Sequence, residues 1–319
     1  MNEKMKSGII GFSVGDALGV PVEFLNRNTL QRNPVKDMIG YGSHPVPEGT
    51  WSDDTSLMIA AMDSINICNG INFDDIMYRF TEWVDNAKYT ATNKLFDIGI
   101  SSSNAIQNYK QGIAAENCGM KGFNENGNGS LMRILPFVYY SYLKKLSREE
   151  RIYLINIASS LTHAHEISKL GCNIYCDYII LLLNGYSKKE AFDMLKELDY
   201  GSYFSNSAIS VYSNILSGKL ENLNINDIKS SGYVVDSLEA SIWCTLKNTS
   251  YETAVESAVN LGNDTDTIGA ITGSLNGIIY GEKNIPQRWL EKMKKLDYLE
   301  NLTDEFLQKL NCKSNERIR

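Results

Sequence analysis

Histidine is scarce, with three in 319 residues (His44, His163 and His165), and the cysteines form no cluster. Cys68, Cys118, Cys172, Cys176, Cys244 and Cys312 are scattered, and no two have the Cys-x-x-Cys spacing of a zinc or dithiol motif. Cys172 and Cys176 lie in an apolar helical run and read as buried free thiols. No disulfide framework is expected, which points to a reducing, cytoplasmic compartment. A basic excess is also missing. The formal net charge of −7 lacks the positive field that grips phosphate backbones without sequence preference, so broad nucleic-acid binding is not expected. A small phosphate-bearing ligand stays possible, since helix termini and backbone amides can hold one. Long hydrophobic runs are absent too. The opening MNEKMKSGIIGFSVGDALGV has two lysines before an apolar stretch, but Asp16 interrupts it and Glu23 follows. It reads as the first helix of the mature protein, and no membrane span is expected.

What is present is helical. Ile76, Phe80, Trp83 and Val84 fall at i, i+4, i+7 and i+8, and Ala254, Ala258 and Leu261 repeat the pattern. Pro286 is placed to open a last long helix, PQRWLEKMKKL. Alternating strand patterns are nearly missing, and no repeat stands out. The polar stretches 25–50, 110–130 and 217–232 are short enough to be loops within one domain. The expectation is an all-α helical bundle, a single domain over residues 1–319 with about 312–319 as a tail, and a monomer.

Two segments break helix propensity in the same way. Gly11, Gly15 and Gly19 recur every fourth residue, as do Gly269, Gly273 and Gly277. Each helix-interior glycine costs about 1 kcal/mol relative to alanine, so six in two ladders predict close backbone approach between two central helices.

The chemistry concentrates in two acidic clusters, GTWSDDTSLMIAA at 49–61 and NLGNDTDTIGAITG at 260–273. Either alone reads equally as a helix N-cap, which Ser, Thr and Asp commonly provide. One cap needs one side chain, however, whereas Ser52, Asp53, Asp54, Asp264, Asp266 and Thr267 offer six oxygen-bearing groups. Their spacing lets carboxylates converge on an ion, and an all-oxygen donor set suits Mg²⁺ or Mn²⁺. If the glycine ladders bring both clusters together, there are enough oxygens for two metals. A third segment, GFNENGNGSLMRILPF at 122–137, can present backbone amides to phosphate with Arg133 nearby, or form a plain turn. His163 and His165 in LTHAHE can flank a ligand or simply sit at a polar helix end. Glu23 and Asp97 are carboxylates in apolar or glycine-rich surroundings, where an acid or base can be tuned.

Together GDALGVPVEF, GTWSDDTSLMIA, FDIG, NGNGSLMRILP, LTHAH, SGYVVDSLEASIWC and NLGNDTDTIGAITGSLNGIIYG resemble the ADP-ribosylglycohydrolase family, in family order from residue 8 to about 281. The resemblance implies an all-α fold with a binuclear Mg²⁺ or Mn²⁺ centre. It assigns metal ligation to Ser52, Asp53, Asp54, Asp264, Asp266 and Thr267, with Ser52 in place of the commoner threonine. It also implies that Asn128, Gly129 and Ser130 cradle the ADP-ribose phosphates, that His163 touches the ligand and that Tyr233 stacks on adenine. Asp97 and Glu23 compete for the acid–base role, and the retained FDIG favours Asp97 and an ADP-ribosylated arginine on protein as substrate. An ADP-ribosyl-serine or other acceptor, and a non-catalytic ADP-ribose-binding relative, are the alternatives. An isoprenoid synthase is all-helical with two acidic motifs as well, but its pattern needs acids where Leu57 and Ile271 stand.

Overall fold

The computed structural model describes residues 1–311, so the expected tail at 312–319 lies outside the described residues. Two helices, Asn2–Gly19 and Thr265–Tyr280, form the centre. Their glycine ladders face each other in opposite directions. A Cβ at Gly15 would lie 2.1 Å from the Gly269 carbonyl oxygen, one at Gly11 2.5 Å from that of Gly273, and one at Gly277 2.1 Å from that of Ser7. No side chain fits between the backbones, which is why the ladder is glycine. Every residue from Ser7 to Gly19 is buried, as is every residue from Thr265 to Ile278, so neither helix has a polar face.

Other helices wrap this pair. Asp53–Cys68 is buried along its first ten residues, while Phe73–Asn86 is amphipathic and turns Ile76, Phe80 and Trp83 inward. Glu166–Leu183 buries both Cys172 and Cys176 as free thiols. Buried apolar side chains from Met5 to Leu310 make one contiguous core. Among the described residues there is no β-strand, only isolated bridges pairing Met120 with His163 and Gly127 with Tyr233. None of the described helices is long and apolar enough to cross a membrane.

The long helix expected after Pro286 does not form. Gln287–Leu290 is a single turn, and the long helix is the later Leu296–Asn311. The chain is diverted because the Lys294 N–H donates to the Gly49 carbonyl at 2.9 Å, and Lys295 then takes a left-handed φ of 47°. Gly49 itself has φ 73° and lies so close to Lys292 that a side chain there would meet its carbonyl. This tertiary contact overrides the helical spacing of PQRWLEKMKKL.

Candidate metal and ligand site

The glycine contact fixes where the two acidic clusters end up. Gly19, at the end of the first helix, sits against the backbone of Thr265 and Asp266. Asp16, one turn earlier, is fully buried and binds the other cluster: its carboxylate accepts the Ser52 N–H at 2.9 Å, the Thr55 N–H at 3.1 Å and the Thr55 hydroxyl at 2.5 Å. The Asp53–Cys68 and Thr265–Tyr280 helices therefore point their N-termini at one place.

Asp53, Asp54, Asp264 and Asp266 meet there, with Ser52 and Thr267. The Ser52 hydroxyl caps its helix by accepting the Asp54 N–H at 3.2 Å, and the Thr267 hydroxyl donates to Asp54 Oδ1 at 3.3 Å. Asp264 occupies the N-cap position without making a side-chain cap bond, so the plain-cap reading fails for it. Its Oδ2 accepts instead from the Asn128 side-chain amide at 2.5 Å. Carboxylate oxygens of Asp16, Asp54 and Asp266 lie within 4.8 Å of one another, and so do those of Glu23, Asp264 and Asp266.

Electrostatically the cluster crowds like charges in a buried setting. Burial first, then neighbouring carboxylates, hold Asp53, Asp54 and Asp266 well above the usual carboxylate range. Burial also raises Asp264 and brings Asp16 to about 6. Asp54 Oδ2 is buried without a hydrogen-bond partner among the described residues. Like charges in a dry site with an orphaned oxygen fit a hard divalent cation, which would satisfy the oxygen and offset the charge.

The cluster floors a cleft of about 720 Å³ that also exposes Glu23, Asp97, Asn128, Gly129 and His163. Glu23 Oε2 lies 2.5 Å from His44 Nε2, whose ring packs between Phe24 and Phe96. Burial holds the Glu23 carboxyl at about 7 against the opposing bond to His44, and Asp97 and Asp264 push it the same way as burial. The His44 imidazole is raised, first by its bond to Glu23. Asp97 takes a left-handed φ of 52° at the cleft wall, and burial raises its carboxyl.

Loop 122–130 forms the far wall. The Asn128 N–H donates to the Gly232 carbonyl and the Val234 N–H to that of Asn126, both at 3.0 Å. The Ser130 hydroxyl faces the interior, accepting from Ser159 at 3.0 Å beside Cys172. Tyr233 lines a smaller adjoining hollow of about 390 Å³ with Phe123 and Asn126 rather than the main cleft. His165 caps the Glu166–Leu183 helix by accepting the Ile167 N–H at 3.2 Å, the polar-end role.

Two residues escaped sequence reasoning. Local pattern marks Asp16 only as a break in an apolar run, although a carboxylate in a helix with no polar face is a signal. His44 carried no local pattern, because its partner Glu23 is reached only through the folded loop.

The chain is similar to known proteins along nearly its whole length. The family model described as ADP-ribosylglycohydrolase matches residues 1–316. An ADP-ribosylarginine hydrolase of Serratia proteamaculans is 29% identical over 306 residues, covering 95% of this chain and 79% of the relative. The ADP-ribosyl-[dinitrogen reductase] glycohydrolase of Rhodospirillum rubrum is 24% identical, covering 92% and 91%. A solved structure, an ADP-ribosylglycohydrolase-related protein complex, superposes with a TM-score of 0.81 at 26% identity, covering 97% of this chain and 98% of that one.

Proposed function

Because the chain belongs to the ADP-ribosylglycohydrolase family, we propose that it is a divalent-metal-dependent hydrolase removing ADP-ribose from ADP-ribosylated arginine on protein. The observation that carries this reading is the meeting of both acidic clusters in one cleft with the Asn128–Gly129 loop. The name of the Serratia relative supports arginine as acceptor. The family match and the unbroken core support treating residues 1–319 as one functional unit. The five described cysteines are all unpaired, in keeping with a reducing cytoplasm, and we take the working unit to be a monomer.

Two ions, Mg²⁺ or Mn²⁺, held by Ser52, Asp53, Asp54, Asp264, Asp266 and Thr267, would supply Lewis-acid stabilisation of the ribose hydroxyls and the attacking water. The chain's own groups do the rest. Backbone amides near Asn128 and Gly129 bind the diphosphate, and Tyr233 in its side hollow takes the adenine. As the C1″–N bond breaks, its electron pair leaves with the guanidine and positive charge develops on the sugar, which the carboxylate floor favours. Water adds at C1″, and its proton ends on the guanidine. Asp97 faces the acceptor end and pairs with the guanidinium, while Glu23 moves the proton.

Glu23 also supports a second reading. A carboxyl held at about 7 is protonated often enough near neutrality to donate to a serine alkoxide leaving group. Matched peptides ADP-ribosylated on arginine or on serine separate the two through initial rates of ADP-ribose release. Arginine release is expected to be faster and to fall at least ten-fold in Asp97→Ala. Faster serine release, or an unaffected Asp97→Ala, overturns the arginine assignment. No release from any acceptor leaves only the non-catalytic binding reading.

A further inference from the structure

Arg133 is fully buried in the turn that follows the Gly- and Asn-rich loop. Its guanidinium lies over the Phe80 ring, 5.2 Å from the centroid, and Nη2 donates to the Thr162 hydroxyl at 2.7 Å. Nε and Nη1 have no partner among the described residues. Burial lowers the guanidinium to about 10, and no carboxylate among the described residues offsets that cost. A buried cation kept without a counter-charge is expensive for packing alone, so its one hydrogen bond is informative.

Thr162 Oγ1 lies 2.9 Å from His163 Nδ1. The hydroxyl is fully buried, and the described residues offer it only Arg133 and His163. Arginine can only donate, so the threonine proton has one destination, the Nδ1 lone pair. The opposite tautomer, with Nδ1–H donating to Thr162, would strand that proton in the core. The ring proton is therefore on Nε2. That atom makes no hydrogen bond among the described residues, lies against Gly127 and Gly129, and belongs to a residue lining the cleft. Burial and the nearby Arg133 charge keep the ring neutral, at about 3.

We propose that Arg133 and Thr162 are positioning residues that hold His163 as the Nε2–H tautomer, donating to the diphosphate of the ligand; the diphosphate rests on the functional reading above. The relay passes the orientation of a buried charge to a ligand it never touches. It also explains why Gly129 is a glycine: a Cβ there would lie 2.7 Å from His163 Cε1 and displace the ring.

The experiment combines ¹⁵N spectra of the histidine-labelled full chain with ADP-ribose calorimetry in Mg²⁺. In the wild type, His163 is expected to show a protonated Nε2 and a bare Nδ1 throughout pH 6–8. Thr162→Val is expected to shift that balance and weaken ADP-ribose roughly ten-fold, the scale of one hydrogen bond to a charged group, with Mg²⁺ affinity unchanged. Thr162→Ser, which keeps the hydroxyl, is expected to restore both. A proton on Nδ1 in the wild type overturns the proposal whatever the variants do. Wild-type affinity in a folded Thr162→Val overturns it as well. If the wild type does not bind ADP-ribose, the functional reading fails instead, and the nitrogen spectra alone decide the tautomer.

Discussion

The Asp16 carboxylate accepts the Ser52 N–H at 2.9 Å, tying the body of the first helix to the first acidic cluster. With its bonds to Thr55, this one side chain satisfies three donors in a buried setting. Asp16→Asn retains one oxygen acceptor and turns an N–H₂ toward the remaining donors. Buried donors left unpaired cost about 1–3 kcal/mol each, so a loss of roughly 2–4 kcal/mol in urea denaturation is expected, with weaker metal binding. A variant as stable as the wild type would show that Asp16 anchors nothing.

The crowding of carboxylates makes a sign-specific forecast for metal removal. In EDTA, Asp54→Asn relieves repulsion from Asp16, Asp53 and Asp264, so it is expected to melt higher than the wild type by a few degrees, at about 2 °C per kcal/mol. In saturating Mg²⁺ the order reverses, because binding stabilises only the chain that retains its ligand. Calorimetric scans with and without metal check both halves. A metal response as large in Asp54→Asn as in the wild type would remove Asp54 from the ligand set.

The central helix pair offers a test of why its ladder is glycine. Gly15→Ala places a methyl 2.1 Å from the Gly269 carbonyl oxygen, so the helices must separate, at a cost of about 3 kcal/mol or more. Metal affinity should fall too, since that separation spreads the clusters. Gly70→Ala is the control: its nearest neighbour is 4.0 Å away, and a change within about 0.5 kcal/mol is expected.

Away from the site, Glu239 gives a clean pH signature. Burial lifts its carboxyl to about 7, against a bond from Asn214, and Oε1 has no partner among the described residues. A folded pKa above the ordinary value means the protein prefers the neutral acid. The contribution is complete below about pH 4.5 and is lost as pH rises through about 7. The loss is on the order of 2–3 kcal/mol. Glu239→Gln is expected to flatten that part of the stability profile, read by urea denaturation at pH 5 and pH 8. An equal slope in both proteins would place the titration elsewhere.

The helical class is legible along the chain, because 3.6-residue periodicity and the want of alternating strands are local properties. So are the paired glycine ladders and the oxygen-only character of the two clusters, which follow from residue type and spacing. Which oxygens are left for a ligand depends on contacts between segments far apart in the chain. Asp264 abandons the cap bond its position offers because Asn128, 136 residues away in sequence, reaches its Oδ2. Ser130 turns inward because Ser159 and Cys172 wait behind the loop, and the expected helix after Pro286 breaks because Gly49 takes the Lys294 N–H. Asp16 and His44 gained their roles the same way, from partners distant along the chain. A hydrogen bond or a desolvated charge depends on what else occupies the same few ångströms, and local sequence carries no record of that.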